Sequence, residues 1–360
     1  MIKKLIFGVI LATFIISGCS NNSTGNKSLL PTTGSVYVTN AGNFSQSNGS
    51  ITSFDAQTGK TDTVAFKLVN KRPFAGLIQS ARIFGNKFYI VSNRTDKIEV
   101  TDAKTLESLA TISMADSPTA FQKVSDSKAY ATTLNNNTLV DSVSIINLSS
   151  NEETDQRIAV GNQPSDIVKV NSKVFVSNAG GVQPNSADST ISVINTNTDA
   201  VEDTITVGYD PVQMAVDGLN RIWVVCHGLV AYDKNYNRLP NKDEPGGIYV
   251  INPRQGKVIY SKTLKQRPSQ IALDKQDSRA YLLLTDKVET INMKTFNIRN
   301  ASFINRKFNV IDYSPNERML YLAYRNGYVQ RGEAVRYDLK GTAVDSFKTG
   351  YAPIGFHFVK

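Results

Sequence analysis

Cationic, amide and aromatic side chains recur in this 360-residue chain beside X-Pro pairs and just after apolar runs. Aromatic surfaces with Arg and amide donors suit a flat, partly apolar ligand that carries amides, carboxylates or phosphate. Each Arg taken alone also fits an exposed charge or a salt bridge within the fold. As a set, we predict a ligand-binding site formed by Phe44, Arg72, Phe74, Arg94, Gln163, Tyr209, His227, Arg267, Lys307, Arg325 and Tyr351.

Catalytic motifs are missing from the sequence, which contains no Gly-x-Ser-x-Gly, no His-Glu-x-x-His and no phosphate-binding glycine loop. Asp166, Asp210 and Asp217 could serve as calcium ligands or an acid–base pair, although their repeat and turn positions favour structural roles. His227 could act as a base, but the sequence does not identify the partner that would orient it. With two histidines and no Cys/His cluster, we predict no catalytic residues, no metal site and no bound cofactor.

A repeat of 40 to 57 residues runs through the chain and must position these side chains. Each unit has an apolar strand, a second strand that ends in Asp or Asn, and usually an X-Pro pair. Strand-forming repeats of this length are typical of propellers, because single blades cannot bury their apolar faces alone. We therefore predict an all-β, seven-bladed propeller of four-stranded antiparallel blades over residues 34–360. The repeat markers are Asp55, Asp102, Asn147, Asn195, Asn252, Asn292 and Asp338.

We label the four strands of a blade A to D in order from the central channel outward. The innermost strand A of most blades should begin at the X-Pro pair, whose proline should hold the preceding residue extended. The sixth unit has Lys307-Phe308 in place of that pair. The chain begins on a strand B and ends on a strand A, so residues 354–359 should complete the first blade. Strand alternation places the B–C and D–A connections at one end of the central channel, where we expect the ligand.

Unusually long connections fall at that same end of the predicted ring. Recognition is commonly built on long loops carried by a rigid scaffold, although propeller blades also tolerate solvated insertions without a function. These connections are Asn40–Gly49, Leu134–Asp141, Asn178–Ser189 and His227–Gly246.

The first 33 residues read as an export signal and a tether. Lys3 and Lys4 precede the apolar run 5–18, which is too short to span a bilayer, and Cys19 follows. Residues 15–19 resemble a bacterial lipobox, which implies cleavage of residues 1–18 and lipidation of Cys19. The alternative is an ordinary signal peptide with a chance cysteine. Residues 19–33 are polar and predict a flexible tether.

Ser20, rather than Asp, follows the lipobox cysteine. By resemblance to the bacterial sorting rule, this implies a lipid-anchored cell-envelope protein of the outer membrane, with the periplasmic or surface side left open. The net charge of +9 could attract nucleic acid, anionic lipid or an acidic ligand. No nucleic-acid motif or charge run is present, so we predict no nucleic-acid partner.

The repeat resembles the YVTN-type, YncE-like seven-bladed propellers in Tyr37-Val-Thr-Asn40, Phe88–Asn93, Val174–Asn178 and Ile205-Thr-Val-Gly208. A narrower resemblance links Asn40–Phe44, Asn48–Ile51, Phe54-Asp55, Arg72-Pro73, Gln79-Ser80 and Lys97–Val100 to lipoprotein propellers of Bacteroidetes-type bacteria. That group includes a cobalamin-binding surface lipoprotein. The resemblance implies a corrinoid or similar cofactor as ligand, and delivery to an outer-membrane transporter as partner. Two alternatives stay open: an envelope protein-interaction scaffold, and a lactonase-like enzyme with a metal at the axial mouth.

Overall fold

The computed structural model describes residues 35–134, 141–181 and 186–359. Over these residues the chain forms seven four-stranded antiparallel sheets arranged as a propeller. The seven-bladed, all-β prediction is confirmed. The predicted signal peptide, Cys19 and tether lie outside the described residues. Within the described part, no helix is both long enough and apolar enough to cross a membrane.

Four consecutive strands build each blade, except in blade 1, whose innermost strand comes last in the chain. Blades 1 to 3 contain β1 (Ser35–Asn40), β2 (Ser50–Asp55) and β3 (Thr61–Asp62); β4 (Ile78–Phe84), β5 (Lys87–Ser92), β6 (Lys97–Asp102) and β7 (Ser108–Ser113); β8 (Ser117–Lys123), β9 (Lys128–Leu134), β10 (Ser142–Asn147) and β11 (Glu152–Ala159). Blades 4 and 5 contain β12 (Pro164–Val170), β13 (Lys173–Gly180), β14 (Ala187–Asn195) and β15 (Ala200–Thr206); β16 (Pro211–Val216), β17 (Ile222–Cys226), β18 (Gly247–Asn252) and β19 (Lys257–Thr263). Blades 6 and 7 contain β20 (Gln270–Asp274), β21 (Arg279–Leu283), β22 (Val288–Asn292) and β23 (Ile298–Ile304); β24 (Val310–Ser314), β25 (Met319–Tyr324), β26 (Arg331–Tyr337) and β27 (Ala343–Tyr351). The last strand, β28 (Pro353–Phe358), returns to blade 1.

Ring closure occurs through the C-terminal strand. β28 pairs antiparallel with β1, with Val36 opposite Phe358 and Val38 opposite Phe356. The strand is therefore the innermost strand of blade 1, as the strand count predicts. This pairing covers the inner edge of β1, which would otherwise be exposed in the channel.

Apolar clusters lie between blades, and strand alternation explains how each blade contributes to two of them. In β1, Tyr37 packs toward blade 2, whereas Val36 and Val38 pack toward blade 7. The same division recurs around the ring. Cys226 is a buried free thiol within one of these clusters.

The Asp and Asn markers start the C–D turns through their side chains. Asp55 Oδ1 accepts a hydrogen bond from the backbone N–H of Gln57 at 2.8 Å, and the equivalent bond forms at all seven markers. The repeat marker is therefore a local structural feature, which explains why it reports the fold and not the ligand.

The prediction of an extended residue before each proline is wrong at Gln163, Asp210 and Ala352, where φ is +49°, +54° and +52°. These left-handed turns direct the carbonyl of the residue toward the end of strand B. Each carbonyl accepts a backbone hydrogen bond there, for example from Ala41 to Ala352 at 2.8 Å. The tight connection between strands overrides the local preference.

A helix that the sequence does not predict, α1 (Ala65–Asn70), follows the two-residue outer strand of blade 1. Six residues are too few for a helix that is stable alone, so packing must hold it. Phe66 is buried with its ring 5.5 Å from the ring of Phe74. Asn70 Nδ2 donates to the carbonyl oxygen of Leu106 at 2.9 Å, which ties the helix to blade 2. A single 3₁₀ turn, Pro240–Lys242, lies in the long loop of blade 5.

Candidate functional site

A cavity of about 1310 Å³ occupies the loop-rich end of the central channel. B–C connections contribute Phe44, Arg94 and His227 to its wall, and D–A connections contribute Arg267 and Lys307. Both sets of connections therefore meet at the same end of the channel. We call this end the axial mouth. Residues 135–140 of the predicted loop Leu134–Asp141 and residues 182–185 of Asn178–Ser189 lie outside the described residues.

A repeated backbone arrangement fixes the rim of the axial mouth. In blades 1, 4 and 5, a glycine with positive φ stands at the end of strand B (Gly180) or two residues after it (Gly42 and Gly228), and its N–H donates to the carbonyl two residues before the proline. Gly228 thus donates to Tyr209 O at 3.0 Å, and Gly42 to Tyr351 O at 3.0 Å. A Cβ on Gly228 would lie 2.3 Å from the carbonyl oxygen of Glu244. This close approach requires glycine, and it holds the B–C and D–A connections together.

Three cations at the axial mouth make no salt bridge among the described residues. Arg94 lies over the exposed ring of Phe44, with its guanidinium carbon 4.0 Å from the ring centroid. Arg325 donates from Nε to the carbonyl oxygen of Pro353 at 3.2 Å, and Lys307 lines the cavity without a carboxylate partner in the described part of the chain. Their charge is therefore uncompensated and available to an anionic or strongly polar ligand.

Asp210 holds two of the predicted site residues together. Its Oδ2 lies 3.0 Å from Nδ1 of His227 and 3.1 Å from the Arg267 guanidinium. The backbone N–H of His227 also donates to Asp210 O at 2.9 Å. This is the orienting partner of His227 that could not be identified from sequence.

Deeper in the channel, Arg82 of blade 2 reaches across to blade 4. Its guanidinium donates to Asp166 Oδ1 at 2.6 Å, to the carbonyl oxygen of Ile167 at 2.5 Å and to Gln122 Oε1 at 3.0 Å. Asp166 Oδ2 in turn accepts from the backbone N–H of Met214 in blade 5 at 2.7 Å. These residues form the floor of the cavity and connect four successive blades.

His357 forms the floor beside Arg82. Both also line a second cavity of about 240 Å³, so they separate it from the axial mouth. Burial and the nearby charge of Arg82 lower the pKa of His357 to about 3, which keeps the imidazole neutral.

On β24, the partly buried Asp312 carboxyl has its pKa raised to about 7 by burial, although the N–H of Tyr313 stabilises its charged form.

Arg72 and Phe74 lie away from the cavity, at the junction of blades 1 and 2. Arg72 donates to the buried carboxylate of Glu99 at 2.6 Å, which also lies 3.5 Å from Lys97 Nζ. Phe74 is buried against Phe66 and lies under Lys97, whose Nζ is 4.8 Å from the ring centroid. Arg72 and Lys97 thus pair with a buried carboxylate, and Phe74 belongs to the apolar core beside them.

Gln163, Tyr209 and Tyr351 belong to the frame of the axial mouth and do not line the main cavity. Gln163 and Tyr209 stand in D–A connections, and Tyr351 is the last residue of β27 before such a connection. The Gln163 N–H donates to Asp141 Oδ2 at 2.6 Å. Tyr209 is exposed on the rim, and Tyr351 lines a side pocket of about 210 Å³ beside α1. The structure thus brings Phe44, Arg94, His227, Arg267, Lys307 and Arg325 together at the cavity and leaves the other five predicted residues outside it.

Cavity residues not predicted from sequence come mainly from the inner strands. Their polar side chains line the channel or form a hydrogen bond to the next blade; these residues are Arg82, Gln213, Gln270 and His357. Gln213 Oε1, for instance, accepts from the N–H of Ile271 in blade 6 at 2.7 Å. The available signal was a polar residue within the first five positions of strand A, but the direction of its side chain depends on register and bulges.

The carboxylates considered as metal ligands have other partners. Asp217 accepts hydrogen bonds from Arg221 and from the buried indole of Trp223, at 2.7 and 3.0 Å. Asp166 pairs with Arg82, and Asp210 with His227 and Arg267. Over residues 35–134, 141–181 and 186–359, no group of three or more His, Cys, Asp or Glu side chains is arranged to hold a metal ion.

Residues 34–238 match the family described as a domain of unknown function, DUF5074. The chain belongs to this family. No curated protein matches the chain in sequence.

Solved structures similar to this member of the DUF5074 family share its fold. A quinoprotein alcohol dehydrogenase-like protein from Bacteroides thetaiotaomicron is 13% identical, with a TM-score of 0.67 over 90% of this chain and 78% of that one. A functionally unknown protein from Desulfotomaculum acetoxidans is 12% identical, with a TM-score of 0.63 over 90% and 98%. Hydrazine synthase from Kuenenia stuttgartiensis is 14% identical, with a TM-score of 0.56 over 83% and 89%. At these identities the likeness shows the propeller fold alone.

Proposed function

We propose that this DUF5074 protein is a lipid-anchored, non-catalytic propeller of the cell envelope that binds a small ligand in the axial mouth. The observation that supports this is a cavity of about 1310 Å³ whose wall carries Arg94, Lys307 and Arg325 without salt-bridge partners among the described residues. The ligand class is a bulky molecule with anionic and amide groups. A corrinoid is the named candidate.

The size and chemistry of the cavity support that class. Ligand sites usually have volumes of about 300 to 1,000 Å³, so this cavity suits a large cofactor better than a metabolite of a few carbons. Every exposed aromatic side chain of the described residues lies on the connections around the axial mouth: Phe44, Tyr209, Tyr232, Tyr236 and Tyr328. Such rings provide apolar contact with little loss of conformational entropy.

A corrinoid combines these requirements in one molecule, since it has a flat ring with peripheral amides and a phosphodiester. Its amides would accept hydrogen bonds from Arg94 and Arg325, its phosphate would pair with Lys307, and Phe44 would cover part of the ring. The resemblance to envelope propellers that include a cobalamin-binding protein supports this choice. Transfer of the ligand to an outer-membrane transporter follows as part of the same proposal.

Isothermal titration calorimetry with cyanocobalamin tests the proposal. We expect saturable binding to the wild-type protein, at least tenfold weakened in the double variant Lys307→Ala/Arg325→Ala, because each lost charge-assisted contact contributes about 1.5 to 3 kcal/mol. The matched control is Lys104→Ala/Lys294→Ala, which removes two exposed cations from C–D turns at the opposite end. The absence of heat at high micromolar concentration would eliminate the corrinoid.

A protein-interaction scaffold is the second candidate, because Tyr328 and Val329 are 54% and 71% exposed beside the cavity. Aromatic and Arg side chains are enriched at protein interfaces. In that case a pull-down from envelope extract with wild-type protein should recover a partner that the variant Tyr328→Ser/Val329→Ser does not. Recovery of the same partner by both would exclude this surface as the interface.

A further inference from the structure

The pairing of Asp210 with His227 determines which nitrogen of the imidazole is free. An ionised carboxylate only accepts hydrogen bonds, so at 3.0 Å Nδ1 of His227 must carry the hydrogen. Nε2 of the neutral ring then has a lone pair. The described residues give Nε2 no hydrogen-bond partner, and His227 lines the cavity.

Backbone contacts hold this pair in a fixed position. His227 directly follows β17, and its N–H donates to the carbonyl of Asp210. Asp210 has φ of +54° in the tight connection to Pro211, while the next residue, Gly228, donates to Tyr209 O. The imidazole therefore enters the axial mouth from a rigid support, with its side chain 28% exposed.

Arg267 distinguishes between two uses of this imidazole. A general base needs a carboxylate that stabilises the imidazolium formed when it takes up a proton. Here the same oxygen, Asp210 Oδ2, already neutralises the Arg267 guanidinium at 3.1 Å, which reduces its support for a second cation. A neutral imidazole with a fixed Nδ1–H tautomer is instead the form that binds a metal through Nε2.

A carboxylate bonded to the other ring nitrogen is typical of metal-binding histidines, because it fixes the ring and increases its basicity. No other His, Cys or carboxylate of the described residues joins His227 to complete a site for a free ion. A single fixed imidazole can, however, fill one axial position of a metal that already has a planar ligand. The cations beside it would contact the periphery of such a complex.

We infer that His227 Nε2 coordinates a metal carried by the ligand itself, and that Asp210 is its positioning residue. The ligand class is a planar macrocyclic metal complex with an exchangeable axial position, either a corrinoid or a haem. Ligation replaces the axial water: the metal–oxygen bond breaks, an intact water molecule leaves, and the imidazole lone pair bonds to the metal, with no change of oxidation state. The inference rests on the proposed function and specifies the contact by which the ligand would be recognised.

Visible absorption spectroscopy of the full domain with aquocobalamin and, separately, ferric haem tests this inference. Imidazole replacing bound water changes the spectrum of either complex, so we expect a saturable shift with one of them. We expect no such shift with His227→Ala or His227→Gln, and at least tenfold weaker ligation with Asp210→Asn. Asn tolerates the positive φ of residue 210. Lys234→Ala, an exposed change in the same loop, should leave the shift unaltered.

The outcomes separate this inference from the proposed function. Cyanocobalamin, whose upper axial position is filled by cyanide, reports binding to the axial mouth by calorimetry without requiring ligation. If it binds while neither aquocobalamin nor haem changes its spectrum, the role of His227 is wrong and the proposed function stands. A shift that persists in both His227 variants would also overturn the inference. If none of the three binds, the inference and the corrinoid assignment both fail.

Discussion

The axial mouth and the floor of the same channel use charged side chains in opposite ways. At the mouth, Arg94, Lys307 and Arg325 lack carboxylate partners among the described residues. At the floor, Arg82 is engaged with three acceptors from two other blades. Charge at the floor therefore connects blades, whereas the charge of these three residues at the mouth is available to a ligand. Stability and ligand affinity should respond to different residues.

Removal of residues 354–360 should have the largest effect, because β28 is the inner strand of blade 1. Its loss would leave the backbone groups on the inner edge of β1 unpaired and open the ring. We expect the truncated domain to lose its cooperative thermal transition by circular dichroism. A melting curve equal to that of the wild type would disprove closure by this strand.

Arg82→Met should destabilise the domain by about 2 to 4 kcal/mol, because it leaves the mostly buried Asp166 carboxylate without its partner. The matched change at the mouth, Arg267→Met, removes a half-exposed salt bridge and should alter stability by less than about 1 kcal/mol. Urea unfolding of both variants measures the difference. Equal destabilisation would contradict the division between floor and mouth.

Asp312→Asn should stabilise the protein at pH 8 and have little effect at pH 4. The pKa of Asp312 is raised from 3.8 to about 7 in the folded state. Between these values the folded protein holds a proton that the unfolded chain has released, so stability decreases as pH rises from about 4 to 7. We expect a gain of at least about 1.4 kcal/mol at pH 8, since one pKa unit corresponds to that energy.

His357 should act in the opposite direction in the same pH series. Its pKa is lowered from 6.5 to about 3, so its contribution is complete above pH 6.5 and is lost as pH falls toward 3. The difference between the Asp312→Asn and wild-type unfolding energies isolates the carboxyl from this histidine. A flat difference from pH 4 to 8 would show that the Asp312 carboxyl does not titrate in this range.

Phe44→Ala should have the smallest effect on stability, because its ring is 62% exposed and contacts mainly Arg94. We expect a change below about 1 kcal/mol, the range of exposed cation–π pairs. Affinity for cyanocobalamin should nevertheless decrease severalfold in calorimetric titrations. A variant with reduced stability and unchanged affinity would place Phe44 in the structural part of the molecule.

The repeat allowed much of the fold to be predicted, since strands B and C and the C–D turns rest on local chemistry. The Asp55-type turn needs only its own side chain and the next residues. α1 could not be predicted, because six residues carry no helical period and Phe66 is held by Phe74 and blade 2. Tertiary packing decides such segments.

The candidate site was predictable only in part, for a related reason. His227 and Arg325 directly follow strands whose ends are evident in the sequence, so their arrival at the mouth follows from topology. Arg72 precedes a proline, as Arg267 does at the mouth, yet its guanidinium forms a salt bridge with the buried Glu99 and lies away from the cavity. Pairing across blades depends on long-range register, and no single-sequence pattern shows it.

Location of the ligand metal tests the central claim most directly. In crystals of the complex with cyanocobalamin, anomalous scattering from cobalt identifies the position of the ligand independently of any variant. We predict a single cobalt peak inside the axial mouth, among Arg94, His227, Arg267, Lys307 and Arg325. A peak at the opposite end or on the outer wall of the ring, or binding in solution without a peak in the mouth, would contradict the account.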